Sequence, residues 1–146
     1  MKTKVLFVCI LNSARSQMAE ALLKRVGGDQ FEVESAGLEP GTLNPLAVEA
    51  MKEIGIDISK NKTKSVFNMV EQKKLFDYVI TVCDESNAER CPTFHGTAKK
   101  LHWGFEDPGG LTLITHEEKL KKTREIRNQI EAKIKEFVKQ ISLQKV

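Results

Sequence analysis

Apolar positions along this chain follow two periods, one typical of buried strands and one typical of amphipathic helices. Continuous or alternating apolar runs predict four strands, over 4–8, 31–35, 76–82 and 99–103. Apolar residues spaced by three and four predict helices over 16–26, from Asn44-Pro45 to Gly55, over 66–74, and over about 116–141. Asn44 is a favourable N-cap and Pro45 a favourable first helical residue. Polar, Gly and Pro residues predict loops over 38–43, 84–96 and 104–110.

The alternation of strands with helices predicts an α/β fold. We expect one domain covering residues 1–146, with a four-stranded parallel sheet flanked by helices on both faces. In such sheets, ligands bind beyond the carboxyl ends of the strands. The four predicted strands lead to Cys9, Ser35, Cys83 and Asp107. The topology therefore gathers these four residues at one edge of the sheet.

Composition narrows the possible classes of protein. A chain of 146 residues with 40% hydrophobic and 29% charged residues is typical of a globular domain. The net charge of +3 is small and dispersed, so a nucleic-acid partner is not expected. No apolar run reaches the roughly 18 residues of a membrane span. The short apolar run after Met1-Lys2-Thr3-Lys4 does not match a signal peptide, so we expect a cytoplasmic protein and no membrane partner.

The first strand runs directly into a candidate nucleophile site. Cys9 ends the strand, Arg15 and Ser16 begin the following helix, and Ile10-Leu11-Asn12-Ser13-Ala14 joins them. The backbone N–H groups of 10–15 and the helix N-terminus would cradle a tetrahedral oxyanion and stabilise the thiolate form of Cys9. Arg15 supplies a planar fork that grips two oxygens. No Gly-Lys-Ser/Thr triplet follows, so the loop is not a nucleotide-binding loop.

Each of these residues also has a purely structural interpretation. Cys9 could be a small core residue, and Arg15 an ordinary surface charge. Ser16 could donate a hydrogen bond to the thiolate or merely cap the helix. Asp107 is the candidate general acid for the departing oxygen, but Asp107-Pro108-Gly109-Gly110 also resembles a surface turn. The strand–loop–helix context of Cys9 and Arg15 favours the functional interpretation.

Two further cysteines, Cys83 and Cys91, lie at the ends of a polar heptapeptide. A polar linker without an apolar stripe can change shape, so the two thiols could meet in thiol–disulfide exchange. They could instead be unrelated cysteines, or metal ligands together with His95. The Cys-x-x-Cys spacing of structural zinc is absent, so we expect neither a metal nor a cofactor.

Taken together, the chain resembles the thioredoxin-coupled arsenate reductases, which share the fold of low-molecular-weight protein tyrosine phosphatases. The resemblance covers nearly the whole chain. The motifs that carry it are Val8–Glu20, Ser35-Ala36-Gly37, Asn44-Pro45, Ala50-Met51, Ile56-Asp57-Ile58-Ser59, Thr81-Val82-Cys83, Cys91-Pro92 and His102-Trp103-Gly104-Phe105-Glu106-Asp107-Pro108.

The resemblance implies a mechanism. Cys9 attacks arsenate held by the loop and Arg15, with phosphate or sulfate as mimics of the substrate, and Asp107 protonates the leaving hydroxide. Cys83 then attacks Cys9, which releases arsenite, and Cys91 attacks Cys83 to give a disulfide that thioredoxin reduces. We expect a monomer.

The chain departs from the family pattern at three places. Leu11 stands where a glycine is frequent, and Ala14 where many members have a second cysteine. Members that bind a potassium ion use side chains matching Asn12, Glu20 and Ser35 plus an aspartate, and the corresponding segment here, Thr63-Lys64-Ser65, has no acid.

The main alternative is a low-molecular-weight protein tyrosine phosphatase, which would use Cys9, Arg15, Ser16 and Asp107 alone. Phosphatases of this fold usually carry tyrosines after the Asp-Pro pair, and here Gly109-Gly110 follows it. A non-catalytic oxyanion-binding or redox-sensing module is the other alternative. A weak phosphatase side activity is expected of the reductase, because phosphate and arsenate share shape and charge.

Overall fold

The computed structural model describes residues 2–106 and 115–144. Its four strands are β1 (Thr3–Cys9), β2 (Phe31–Gly37), β3 (Tyr78–Thr81) and β4 (Lys99–His102). Its α-helices are α1 (Arg15–Gly27), α2 (Pro45–Lys52), α3 (Val66–Glu71), α4 (Glu85–Ala88) and α5 (His116–Gln144). A single 3₁₀ turn, Gly28–Gln30, joins α1 to β2. None of the helices in these ranges is both long and apolar enough to cross a membrane.

The strands form one parallel sheet in the order β2-β1-β3-β4. Because β1 lies inside the sheet and both of its faces are covered, Val5 to Cys9 are all buried. This explains the continuous apolar run of that strand in the sequence. The edge strand β4 is mostly exposed.

Two hydrophobic cores lie on opposite faces of the sheet. Val5 and Phe7 of β1 point into the larger core, which also contains apolar residues of α1, α2 and α5. Leu6 and Val8 point into the smaller core, with residues of α3 and Phe94. The predicted α/β fold, with a four-stranded parallel sheet and helices on both faces, is confirmed.

Several predicted boundaries were wrong. The helix that begins at Pro45 ends at Lys52 rather than near Gly55, because a turn follows in which the Ile56 N–H donates to the Met51 carbonyl at 3.0 Å. Strand β2 extends to Gly37, because β1 pairs with it in register as far as Cys9. The 84–96 segment, predicted to be irregular, contains the short helix α4.

Candidate active site

The loop between β1 and α1 is built so that its carbonyl groups face outward. Four of these carbonyls accept hydrogen bonds, at 2.8–3.1 Å, from backbone N–H groups of the segment after β2. The Leu38 N–H donates to the Cys9 carbonyl, Glu39 to Ile10, Gly41 to Leu11 and Asn44 to Ser13. In a planar trans peptide, the N–H of the next residue points the opposite way. The N–H groups of Ile10, Leu11, Asn12 and Ala14 therefore face away from this outer segment. Together they form a concave row of donors suited to an anion.

Cys9 lies at the bottom of this loop and is almost fully buried. Its Sγ accepts a hydrogen bond from the Asn12 N–H at 3.1 Å and lies 2.9 Å from the Ser16 Oγ. Hydrogen-bond donors aimed at sulfur favour the thiolate, which is the nucleophilic form. The N-cap residue of α1 is Ala14, and no side chain caps the helix. Ser16 therefore does not act as a helix cap. The contact with Cys9 supports the thiolate-donor interpretation of Ser16 over the capping one.

Asn12 organises the loop from within. It is fully buried, and its φ of 55° lies in the left-handed region. Its Nδ2 donates to the Ser16 Oγ at 2.7 Å and to the Ser35 Oγ at 3.0 Å. Its Oδ1 accepts from the Lys64 N–H at 2.9 Å and from Gln17 at 3.3 Å. Because Asn12 Nδ2 donates to Ser16, the Ser16 hydroxyl hydrogen is left available for the Cys9 sulfur.

Behind Asn12, the carboxylate of Glu20 is enclosed by donors and cations. The Ser35 hydroxyl donates to it at 2.6 Å, the Lys24 ammonium lies at 2.6 Å and the Lys64 ammonium at 3.7 Å. Asn12, Glu20 and Ser35 are the side chains that the family resemblance matches to a potassium site. Here Lys64 brings its own positive charge to that place, so these residues do not fit a further monovalent cation.

Arg15 is buried at the first turn of α1 and its Nη1 donates to the Phe105 carbonyl at 3.1 Å. This contact connects the guanidinium to the segment after β4. The buried cation therefore lies between the Cys9 loop and the segment after β4.

Cys83 lies beside this centre, two residues after β3, and is fully buried. Burial raises the pKa of its thiol to about 11. The Arg15 cation opposes this rise and a negative charge on Cys9 adds to it, so both groups are close enough to act on Cys83 electrostatically. Val8 of β1 pairs with Thr81 of β3, and the Val82 N–H donates to the Val8 carbonyl at 2.8 Å, so Cys9 and Cys83 follow the ends of two neighbouring strands.

Cys91 does not lie beside the Cys9 loop. It follows α4, is half-buried, and borders a cavity of about 550 Å³ formed with β3 and β4. Burial raises the pKa of its thiol, and Lys100 partly offsets the rise. All three cysteines are free thiols, and α4 separates Cys83 from Cys91. Asp107, with the Gly109-Gly110 pair, lies outside the described residues.

Two structural residues of the site carried no recognised role in the sequence. A side chain at Gly37 would lie 2.8 Å from both the Asn12 nitrogen and the Ile10 carbonyl oxygen, so the loop needs glycine there. Gln17 is buried and ties the loop to the 61–62 segment through Asn61 and the Lys62 carbonyl. Gln17 shares its helix face with Glu20 and Lys24, so the pattern of the sequence did not predict its burial. The contact at Gly37 depends on the fold and had no signal.

A parallel sheet with a cysteine-to-arginine loop at its carboxyl edge defines the low-molecular-weight phosphatase-like fold. The family model for low molecular weight phosphotyrosine protein phosphatase matches residues 4–146. An arsenate reductase of Halalkalibacterium halodurans is 43% identical over 136 residues, covering 93% of this chain and 95% of that protein.

Solved structures agree with this assignment. An arsenate reductase from Archaeoglobus fulgidus is 31% identical with a TM-score of 0.72, covering 92% of this chain and 98% of that one. A thioredoxin-dependent arsenate reductase from Corynebacterium glutamicum is 33% identical with a TM-score of 0.75, covering 98% of this chain and 63% of that one. The chain therefore belongs to the low molecular weight phosphotyrosine protein phosphatase family, in the branch that contains the arsenate reductases.

Proposed function

We propose that this protein reduces arsenate to arsenite with a relay of three thiols, and that thioredoxin regenerates it. The observation that carries the proposal is the position of Cys83, a buried free thiol within electrostatic range of Cys9 and Arg15. A hydrolytic phosphatase needs no second thiol there. A reductase does, because the arsenic must receive an electron pair.

In the first step, the Cys9 thiolate attacks arsenate bound to the N–H groups of 10–15 and to Arg15. An S–As bond forms, an As–O bond breaks, and the departing oxygen takes a proton from Asp107, the general acid that the resemblance supplies. Donors fixed in advance around the oxyanion stabilise the charge that develops on it.

In the second step, the Cys83 sulfur attacks the Cys9 sulfur, and the thiol proton of Cys83 passes to the departing arsenite. The S–As bond breaks, its electron pair stays on arsenic as arsenite, and a Cys9–Cys83 disulfide forms. Two electrons leave the two thiols and reduce As(V) to As(III).

In the third step, the Cys91 thiolate attacks the Cys83 sulfur, so the disulfide moves to Cys83–Cys91 and Cys9 is released as a thiolate. The polar segment around α4 must rearrange for the two sulfurs to meet. Thioredoxin then reduces a disulfide that borders the open cavity instead of the buried loop. We place the reaction in the cytoplasm, where such thiols are kept reduced, and assign it to one domain covering residues 1–146.

A coupled assay tests this proposal. Arsenate-dependent NADPH oxidation is measured with thioredoxin and thioredoxin reductase, for the wild type and for Cys9→Ser, Cys83→Ser and Cys91→Ser. We expect steady turnover in the wild type and none in the three variants. Full activity of Cys83→Ser or Cys91→Ser would show that the relay is wrong.

A slow phosphatase side activity is the second candidate, favoured by the Cys9, Ser16 and Arg15 geometry and by the family fold. Hydrolysis of para-nitrophenyl phosphate should require Cys9 and persist in Cys83→Ser. Fast phosphotyrosine hydrolysis without arsenate turnover would make the phosphatase the main function.

A further inference from the structure

The attack of Cys91 on Cys83 requires a group that accepts the Cys91 proton, and the Cys9 loop does not provide one. Burial raises the pKa of both the Cys83 and the Cys91 thiol, so near neutral pH both carry a proton. Only thiolates attack disulfides, so Cys91 must lose its proton before it attacks Cys83. The Cys9 loop is lined by donors, which cannot accept that proton.

The cavity that Cys91 borders contains one imidazole, that of His102 at the end of β4. The other two histidines are placed elsewhere: His116 pairs with Glu49 at 2.9 Å, and His95 does not line this cavity. The charged and titratable groups that share the cavity with His102 are Cys91, Glu85, Glu89 and Lys100.

The hydrogen bonds of Thr81 favour one tautomer of His102. The Thr81 hydroxyl lies 2.8 Å from the His102 Nδ1 and donates to the Leu101 carbonyl at 3.3 Å. A hydroxyl has one hydrogen, so both contacts are satisfied only if Nδ1 carries a proton and donates it to Thr81. A neutral imidazole then has its lone pair on Nε2, which makes Nε2 the proton acceptor.

Nε2 also lies on the side of the ring near the Cys83 backbone. It lies 3.3 Å from the position of a Cβ built on Gly104, and that position is 3.8 Å from the Cys83 carbonyl oxygen. His102 thus lies near the Cys83 backbone and lines the cavity that Cys91 borders. Glycine at 104 leaves the space between them open.

We propose that His102 Nε2 accepts the thiol proton of Cys91 during the exchange that converts the Cys9–Cys83 disulfide into Cys83–Cys91. The S–H bond of Cys91 breaks, an N–H bond forms on the imidazole, and the thiolate forms a bond to the Cys83 sulfur as the Cys9–Cys83 bond breaks. Cys9 leaves as a thiolate, held by the Asn12 N–H and Ser16, and the imidazolium returns its proton to solvent. The inference rests on the proposed function, and Thr81 acts in it as a positioning residue.

The test separates this step from the earlier ones. Reduced protein is mixed with one equivalent of arsenate without thioredoxin and quenched with acid at intervals. Released arsenite reports the first two steps, and peptide mapping of the trapped disulfides reports the exchange. Trp103 fluorescence checks that each variant is folded.

In His102→Ala at neutral pH, we expect arsenite release at the wild-type rate and an exchange slowed about 100-fold, the usual size of a general-base contribution. Free imidazole should restore the exchange. In His102→Ala, where only hydroxide deprotonates Cys91, the exchange rate should rise about tenfold per pH unit until Cys91 itself ionises, and the wild type should show a shallower dependence on pH.

Thr81→Val retains the imidazole but removes its hydroxyl partner, so it should slow the exchange by a smaller factor that imidazole does not restore. His116→Ala is the matched control and should exchange at the wild-type rate. Wild-type exchange in His102→Ala, absence of rescue by imidazole, or an equal slowing of arsenite release would each overturn the role of His102. Absence of arsenite release from the wild type would instead refute the proposed function.

Discussion

At the scale of single residues, Asn12 decides the shape of the nucleophilic loop. Asparagine is one of the few residues that adopt a left-handed backbone at small cost, because its short polar side chain forms local hydrogen bonds. In this protein the side chain reaches Ser16, Ser35, Gln17 and the Lys64 backbone while the N–H faces the Cys9 sulfur. One residue therefore supplies both the backbone turn and the support behind it.

Replacing Asn12 by Ala or by Gly removes the same side chain but leaves different backbone freedom. We expect Asn12→Ala to lower the free energy of unfolding by about 2–4 kcal/mol, from lost buried hydrogen bonds and the positive φ. Asn12→Gly should be about 1 kcal/mol more stable than Asn12→Ala, because glycine adopts that φ without strain. Urea unfolding followed by Trp103 fluorescence measures the difference, and equal stability of the two variants would contradict this account.

At the scale of elements, local signals along the chain identified most helices and strands. The Asn44-Pro45 pair predicted the start of α2, and Asn44 Oδ1 does accept from the Leu46 N–H at 2.9 Å. The Asn44 N–H also donates to the Ser13 carbonyl, so the helix start holds the active-site loop. Helix α4 was not predicted because its four residues, three of them polar, have no apolar periodicity.

Asn44 caps α2 through its side chain and holds the active-site loop through its backbone N–H. A substitution of the side chain therefore removes the cap and leaves the loop contact in place. Asn44→Ala should cost about 1 kcal/mol of unfolding free energy, and Asn44→Ser about nothing. Both variants should bind phosphate, the substrate mimic, as tightly as the wild type. Calorimetric unfolding and a phosphate titration measure these effects, and a large loss of phosphate affinity in Asn44→Ala would show that the side chain also shapes the loop.

At the scale of the whole molecule, α5 closes the larger core over three strands. The ring of Phe137 lies 5.2 Å from Tyr78, 5.4 Å from Trp103 and 6.1 Å from Phe31, measured between ring centroids. Arg127 adds a buried hydrogen bond to the Ala50 carbonyl at the end of α2. Helix α5 thereby holds β2, β3, the end of β4 and α2 in one arrangement.

Phe137→Ala should destabilise the protein by about 3–5 kcal/mol, because it leaves a cavity among these rings. The matched control is Phe67→Ala in α3, where the side chain is 44% exposed and the cost should stay below about 1 kcal/mol. Thermal unfolding of both variants measures the contrast. Similar losses in the two variants would mean that α5 does not anchor the sheet.

The sequence by itself determined the α/β fold, the four strands and the family, because periodicity, caps and motif spacing are local properties of the chain. It also identified Cys9, Arg15, Ser16, Cys83, Cys91 and Asp107 as candidates, whose roles stay predictions. Tertiary structure alone decided that Lys64 faces Glu20, that the Cys9 loop packs against Gly37 with no room for a side chain, and that His102 shares a cavity with Cys91. Such contacts join residues far apart in the chain, and only packing of the sheet brings them together.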